Sequence, residues 1–257
     1  MIDYGVQAQH NGNGETTPQS VYFTLDESFT KQFEGKQPKW GPIGYVTYKR
    51  TYARPLADGT TEEYWQTIKR VVEGVFTIQK NHCMINQLPW YDEKAQKSAQ
   101  RMFQLMWEFK FTPPGRGLWM MGTDYMFKRG GAALNNCAFC STEHIHINFS
   151  EPFCFLMDMS MLGVGVGGDT KGAEKIIIKK PVVEDKIFVV EYSREGWVEL
   201  LRTVLNAYSG EGKMPAKISY DQIRPMGAEI KTFGGVASGP GPLIEMVDSI
   251  KAVLDKR

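Results

Sequence analysis

Apolar residues recur at helical spacing in two early stretches of the chain, and that rhythm predicts its first elements. Thr60-x-x-Glu63 has the form of a capping box, and Tyr64, Ile68, Val71, Val72 and Val75 then share one helix face. From about Asp92 to Lys110, a second apolar stripe runs through Ala95, Ala99, Met102, Phe103 and Met106, and Pro113-Pro114 is expected to end that helix. Beyond Gly115 the texture changes to glycine-rich turns around short apolar segments. Met157, Met159 and Met161 alternate, as on a strand with one buried face. Ile176-Ile177-Ile178 and Ile187-Phe188-Val189-Val190 predict a hairpin or two adjacent strands around Pro181. Ser193 reads as the N-cap of a further helix, with Glu195 in its first turn and Trp197, Leu200, Leu201, Val204, Leu205 and Tyr208 at helical spacing. Residues 223–242 read as loop and strand, and Leu243, Val247, Ile250 and Leu254 mark a final helix. Helices first, then mixed strands and helices, indicate an α/β or α+β fold.

A chain of 257 residues buries one large core or two modest ones. The net charge of +1, without a basic block, gives no electrostatic case for nucleic acid or an anionic membrane as main partner. No apolar run approaches membrane-spanning length, and the N-terminus lacks the pattern of a signal peptide. The opening residues, to about 20 and at most 27, are rich in Gly, Asn, Gln and Thr and read as a disordered tail. Cys83, Cys137, Cys140 and Cys154 are too sparse for a disulfide scaffold, so a cytoplasmic setting is expected, in bacterial cytosol or a phage-infected cell.

Three motifs invite sharper chemistry. Gly163-Val164-Gly165-Val166-Gly167-Gly168 satisfies a dinucleotide-binding pattern, but Asp169-Thr170-Lys171-Gly172 and a β-branched run follow where a phosphate-receiving helix is needed. The glycines then serve close backbone approach, or let a nucleotide lie against bare main chain. Cys137-x-x-Cys140 before His144-x-His146 has too short a span for a zinc finger, so no metal site is expected. Cys137 heads no evident helix that would lower its pKa, which counts against a thioredoxin-like pair. Cys83 and Cys154, and by inclination Cys140, read as small buried hydrophobes.

Several further motifs stand in fixed order. They are Trp40-Gly41-Pro42, residues 48–54 (Tyr-Lys-Arg-Thr-Tyr-Ala-Arg), residues 113–123 (Pro-Pro-Gly-Arg-Gly-Leu-Trp-Met-Met-Gly-Thr) and Leu134-Asn135-Asn136-Cys137. Residues 153–158 (Phe-Cys-Phe-Leu-Met-Asp), Ile223-Arg224-Pro225 and residues 233–240 (Phe-Gly-Gly-Val-Ala-Ser-Gly-Pro) complete the series. From about residue 28 onward the chain resembles the adenosylcobalamin-dependent ribonucleoside-triphosphate reductases, the monomeric branch of the class II ribonucleotide reductases.

The resemblance implies the N-terminal portion of such an enzyme. Residues 28–112 would form a helical region. Residues 113–257 would open a ten-stranded α/β barrel, with an effector-site insertion at about 170–222. In that family a cysteinyl radical, generated with adenosylcobalamin, removes the 3′ hydrogen of the ribose. A glutamate acts as base, and two facing cysteines expel the 2′ hydroxyl as water. By this resemblance Cys137 is one of the reducing pair, while Gly117, Asn135 and Asn136 neighbour the substrate. Asp169, Lys171, Lys175, Arg224 and Lys231 would contact a deoxynucleoside triphosphate effector.

The finger-loop signature Asn-x-Cys-x-Glu is not met by Asn81-His82-Cys83-Met84-Ile85. The radical cysteine, the second reducing cysteine and most of the cobalamin surface are therefore expected on a complementary C-terminal chain. Thioredoxin or a similar thiol would be the reductant. Half a barrel would leave a sheet edge and an apolar face to be covered by that chain. The rival expectation is a non-catalytic nucleotide-binding regulator that kept the effector site alone.

Overall fold

The computed structural model describes residues 21–228 and 236–256. The expected tail up to residue 20, and Lys231 with the Phe233-Gly234-Gly235 run, lie outside the described residues. The chain divides into two compact units, Met1–Asn135 and Asn136–Arg257.

The first unit is helical. Its elements are α1 (Glu27–Thr30), α2 (Pro42–Thr51), α3 (Tyr64–Ile85), α4 (Asp92–Trp107), α5 (Gly115–Met120) and α6 (Asp124–Arg129). The apolar stripes of α3 and α4 meet as their spacing requires: Ile68, Val71, Val72, Ala99, Phe103 and Met106 are all essentially buried. Val21 to Asp26, counted with the tail on composition, instead lie extended along these helices. Phe23 and Leu25 join the core, and their amides donate to Thr77 Oγ1 and Glu73 Oε1.

Two sequence expectations shift at the helix ends. The capping box of α3 is Glu63 with Gln66, whose side chain accepts from the Glu63 amide at 2.7 Å. Thr60 is engaged three residues earlier, donating to Asp58. Helix α4 ends at Trp107, before the prolines, because Phe109 turns to a φ of 55° and the Lys110 amide closes on the Leu105 carbonyl.

Helix α5 is held against α3 by a buried ion pair. Arg70 donates to Glu62 at 2.7 and 2.9 Å, and its remaining donors reach the carbonyls of Leu118 and Met121. Those carbonyls belong to the last turn of a short helix, which lacks internal partners for them. The backbones also close to glycine distance: a Cβ on Gly74 would lie 2.5 Å from the Gly122 Cα. Gly122 has φ +75°, and a Cβ there would meet the Arg70 carbonyl oxygen at 2.1 Å.

The second unit alternates strand and helix: β1 (Cys137–Cys140), α7 (Glu151–Met161), β2 (Gly165–Gly168), β3 (Val183–Val189), α8 (Arg194–Ser209), β4 (Met214–Ser219) and α9 (Gly241–Leu254). β1 pairs with β2 and β3 with β4, both in parallel. Among the described residues there is no closed sheet, only these two pairs. Each pair is bridged by a helix, as parallel strands demand.

That topology corrects two readings. Met157, Met159 and Met161 are on α7, not a strand. Pro152 in its first turn and the Cys154 N–H bonding back to the Ser150 carbonyl set the helix. Ile176-Ile177-Ile178 forms neither a strand nor half of a hairpin. Ile178 packs on the apolar cluster of α8 and α9, and the next amide donates to the Tyr208 carbonyl at 2.7 Å. The strand's true partner, β4, lies beyond a whole helix.

Ser193 caps α8 as expected, accepting from the Gly196 amide at 2.9 Å. Val190, Leu200, Val204, Leu243 and Val247 are fully buried between α8, α9 and the β3–β4 pair.

Removing the charge from Glu62 leaves Arg70 buried without its counter-ion. Glu62→Gln is expected to lower unfolding free energy by roughly 3–5 kcal/mol. Urea unfolding of both proteins checks this, and a loss below about 1 kcal/mol would show the pair to be dispensable.

Candidate active site

β1 presents its two faces unequally. Cys137 and Phe139 are exposed on one, while Ala138 and Cys140 are partly buried on the other, where Cys140 Sγ lies 3.8 Å from the Pro152 carbonyl of α7. Three residues along a strand separate Cα atoms by about 10 Å, beyond the roughly 7 Å a disulfide spans. Cys137 and Cys140 therefore cannot form a thioredoxin-like pair within this strand. Cys137 faces Gly165 across the ladder, and the Gly165 amide donates to the Asn136 carbonyl at 2.9 Å. With no side chain at Gly165 or Gly167, the exposed thiol stands over bare main chain on its neighbouring strand.

The thiols differ in character. Cys154 is buried, and burial pushes its pKa up to about 11. Cys140 is also raised, by burial first and by the nearby Asp169 and Glu151 charges next.

The ends of β1 and β2 are locked by Asp169. Its carboxylate accepts from the Thr142 amide and the Ser141 hydroxyl, each at 2.8 Å, and from the Thr142 hydroxyl at 3.0 Å. The Thr142 amide bond is the main cause of a pKa lowered to about 2. Gly172 (φ +77°) closes the loop, since a Cβ there would lie 2.8 Å from the carbonyl oxygens of Thr142 and Glu143. After β2 comes only a short turn of 3-10 helix, Ala173–Lys175, so no helix receives a dinucleotide phosphate. No group of three or more His, Cys, Asp or Glu that could hold a metal occurs among the described residues.

The ribonucleotide reductase alpha domain matches residues 25–123, and the insertion domain of B12-dependent ribonucleotide reductases matches residues 168–254. The chain belongs to the B12-dependent ribonucleotide reductases. It is similar to the adenosylcobalamin-dependent ribonucleoside-triphosphate reductase of Euglena gracilis, 42% identical over 94% of this chain and 34% of that protein. A probable reductase of the same description from Dictyostelium discoideum is 42% identical over 91% of the chain and 33% of its own length. The Lactobacillus helveticus reductase is 33% identical, with 91% and 39% covered. A crystal structure of a B12-dependent (class II) ribonucleotide reductase superposes with a TM-score of 0.73 at 30% identity, covering 91% of this chain and 40% of that one. The chain thus spans a third to two fifths of the relatives it matches.

The expected site residues are distributed over both units. Asn135 closes the first and Asn136 opens the second, adjacent to Cys137. Both asparagines are exposed, and Asn135 Nδ2 donates to the Ala132 carbonyl at 3.3 Å. Gly117 is dictated by packing, because a Cβ there would sit 2.8 Å from Pro113 Cβ. Lys175 Nζ donates to the Glu143 carbonyl at 3.3 Å, beside the Asp169 loop that also carries Lys171. Arg224 stands 4.3 Å from the Tyr192 ring centre. Sequence reasoning quoted Arg54, Arg116 and Trp119 inside motifs but assigned them nothing. Arg54 and Arg116 stand 5.6 and 5.7 Å from the Trp119 ring centre.

Two outcomes follow from this geometry. Under brief alkylation of the native chain, Cys137 is expected to react first and Cys154 last, as peptide mapping would show. Slow labelling at position 137 would contradict an open thiol on β1. Asp169, lowered from 3.8 to about 2, contributes its full stabilisation above its unfolded pKa and loses it as pH falls towards the folded value. The stability gap between the parent and Asp169→Asn should therefore be full above pH 4 and narrow towards pH 2, about the range between the two pKa values. Urea midpoints across that range test it, and a gap that does not change would show that Asp169 holds the loop without its charge.

Proposed function

We propose that this chain supplies the N-terminal part of a ribonucleotide reductase that converts ribonucleoside triphosphates to deoxyribonucleoside triphosphates. Cys137 contributes one of the two reducing thiols. Each thiol gives up one electron and one proton as the disulfide closes, and the ribose 2′ hydroxyl leaves as water. The observation that carries this reading is the exposed Cys137 at the head of a parallel strand, with a glycine opposite it. A rigid strand holds a thiol at fixed depth for a partner sulfur and a sugar carbon to meet.

Asn135, Asn136 and Gly117 border the substrate in this proposal. Asp169, Lys171, Lys175, Arg224 and Lys231 border a deoxynucleoside triphosphate effector, with Asp169 acting through the loop it holds. β1 and β2 would open the ten-stranded barrel, which the remaining two thirds of the reductase completes, on a complementary chain or on the same one. A thiol reductant such as thioredoxin would reopen the disulfide.

Adenosylcobalamin supplies the initiating radical when bound. In this proposal the remainder of the reductase holds most of it. The cavity of about 450 Å³ lined by Trp40, Tyr48, Tyr52, Tyr64 and Phe109 is of single-ligand size, smaller than a corrin with its nucleotide tail. No step is therefore assigned to these residues through the cofactor.

The test combines this chain with the rest of a reductase, adenosylcobalamin, a dithiol and a ribonucleoside triphosphate. Turnover is expected, and Cys137→Ser should reduce it by about three orders of magnitude or more. Turnover that survives the substitution would remove Cys137 from the chemistry. Effector binding without turnover in any combination would favour a nucleotide-binding regulator.

A further inference from the structure

Residues 21–26 lie extended along α3 and α4, and side chains of both helices grip their main chain. On α3, Asn81, Thr77 and Glu73 accept from the amides of Val21, Phe23 and Leu25, each at 3.0 Å. Partners four residues apart stand about 6 Å from each other along a helix, close to the roughly 6.7 Å between every second amide of an extended chain. On α4, Gln96 and Gln100 are again four apart. Gln96 donates to the Thr24 carbonyl at 2.7 Å and accepts from the Asp26 amide at 3.2 Å, while Gln100 donates to the Asp26 carboxylate at 3.1 Å. Asn81 likewise donates back to the Val21 carbonyl at 3.2 Å. Among the described residues, the hydrogen bonds on residues 21–25 come from these side chains, and none comes from another stretch of main chain.

We infer that the groove between α3 and α4 is a peptide-reading site, and that residues 21–26 are a detachable strap occupying it from within the same chain. The ligand it takes is an extended peptide of the form aromatic-x-aliphatic-Asp. Asn81 and Gln96 each offer one donor and one acceptor, the complement of a peptide unit, so they hold main chain whatever its sequence. Selectivity comes from the side chains between. Phe23 packs on Phe76 and Trp90, with ring centres at 5.2 and 6.3 Å, and Leu25 is buried. Main-chain bonds for affinity and alternate side chains for choice are how surfaces take up extended peptides. A strand inside a sheet shares its bonds with neighbouring main chain, whereas this segment leaves without breaking a ladder. The Tyr22 ring also meets Phe127 of α6 edge-on at 5.5 Å, so release of the strap frees α6 from that contact.

In the 257-residue chain, Phe23→Ser combined with Leu25→Ser should empty the groove and leave its reading side chains in place. A synthetic peptide of residues 20–28 is titrated into that variant, and the Trp90 indole N–H resonance, assigned with Trp90→Phe, reports occupancy. A saturable shift is expected. The parent, whose groove is already filled, should show none at the same concentrations. Methylating the peptide nitrogens of Phe23 and Leu25 removes two donors and should weaken binding about tenfold or more, as should Asn81→Leu in the protein. A folded variant whose Trp90 stays silent at millimolar peptide, a methylated peptide that binds like the plain one, or an equal shift in the parent would overturn the site. Should the double variant not fold, amide hydrogen exchange of the unaltered chain decides. The Phe23 and Leu25 amides should then exchange about tenfold or more faster than those of Ile68 and Phe103, and exchange in step with that core would show the strap to be inseparable. Neither result depends on turnover or on Cys137.

Discussion

Two strands that run the same way cannot be joined by a tight turn, and this constraint organises the second unit. After β1 the chain must return along α7 before β2 can pair, and after β3 it must return along α8 before β4 can. Each returning helix needs an apolar face to lay on its strands. On α8, Leu200 and Val204 pack with Phe188, Met214 and Ile218 of β3 and β4, while Cys154 and Met157 of α7 pack with Leu201 and Leu205 of α8. The consequence for chemistry is a sorting of β1 by face. Cys140 turns towards the covering helix, and Cys137 is left on the uncovered side. A helix at the same position would have placed the two sulfurs near each other; the strand separates them. The Asp169 loop then fixes where β1 and β2 end, through bonds to Ser141 and Thr142 rather than through side-chain packing.

In the first unit an equivalent role falls to a single guanidinium. Arg70 satisfies a buried carboxylate and two helix-end carbonyls at once. Burying such a pair is costly unless nearly every donor is used, and here the remaining donors are spent on α5. The contact of Gly74 with Gly122 works with it, since neither backbone could approach so closely past a Cβ. The Gly115–Met120 helix is thereby held by charge and by the absence of side chains. This accounts for the glycine at position 122, where the chain leaves that helix.

The candidate site was legible in uneven measure. Cys137 stood out because the Asn-Asn-Cys string belongs to a recognisable series, but its exposure followed only from the pairing of β1. Gly117 and Asp169 were noticed for their motifs, whereas the structure gives both a local mechanical reason: contact with Pro113, and a clasp on Thr142. Arg54 and Trp119 are 65 positions apart, and no periodicity links residues at that distance. Their meeting depends on how α2 and α5 pack, which the chain's local pattern does not express.

Helices α3, α4, α8 and α9 were determined by the sequence itself, because each carries an apolar stripe long enough to register over several turns. The Ser193 cap belongs with them, since its bond reaches only three residues. Short segments did not carry enough turns to reveal their period, so the methionines of α7 passed for a strand and Ile176-Ile177-Ile178 for half of a hairpin. Tertiary structure decided those cases, along with the parallel pairing and the gathering of arginines around Trp119. The reason is physical: a local pattern records which side of an element is buried, whereas the partner that buries it is chosen by contacts dozens of residues away.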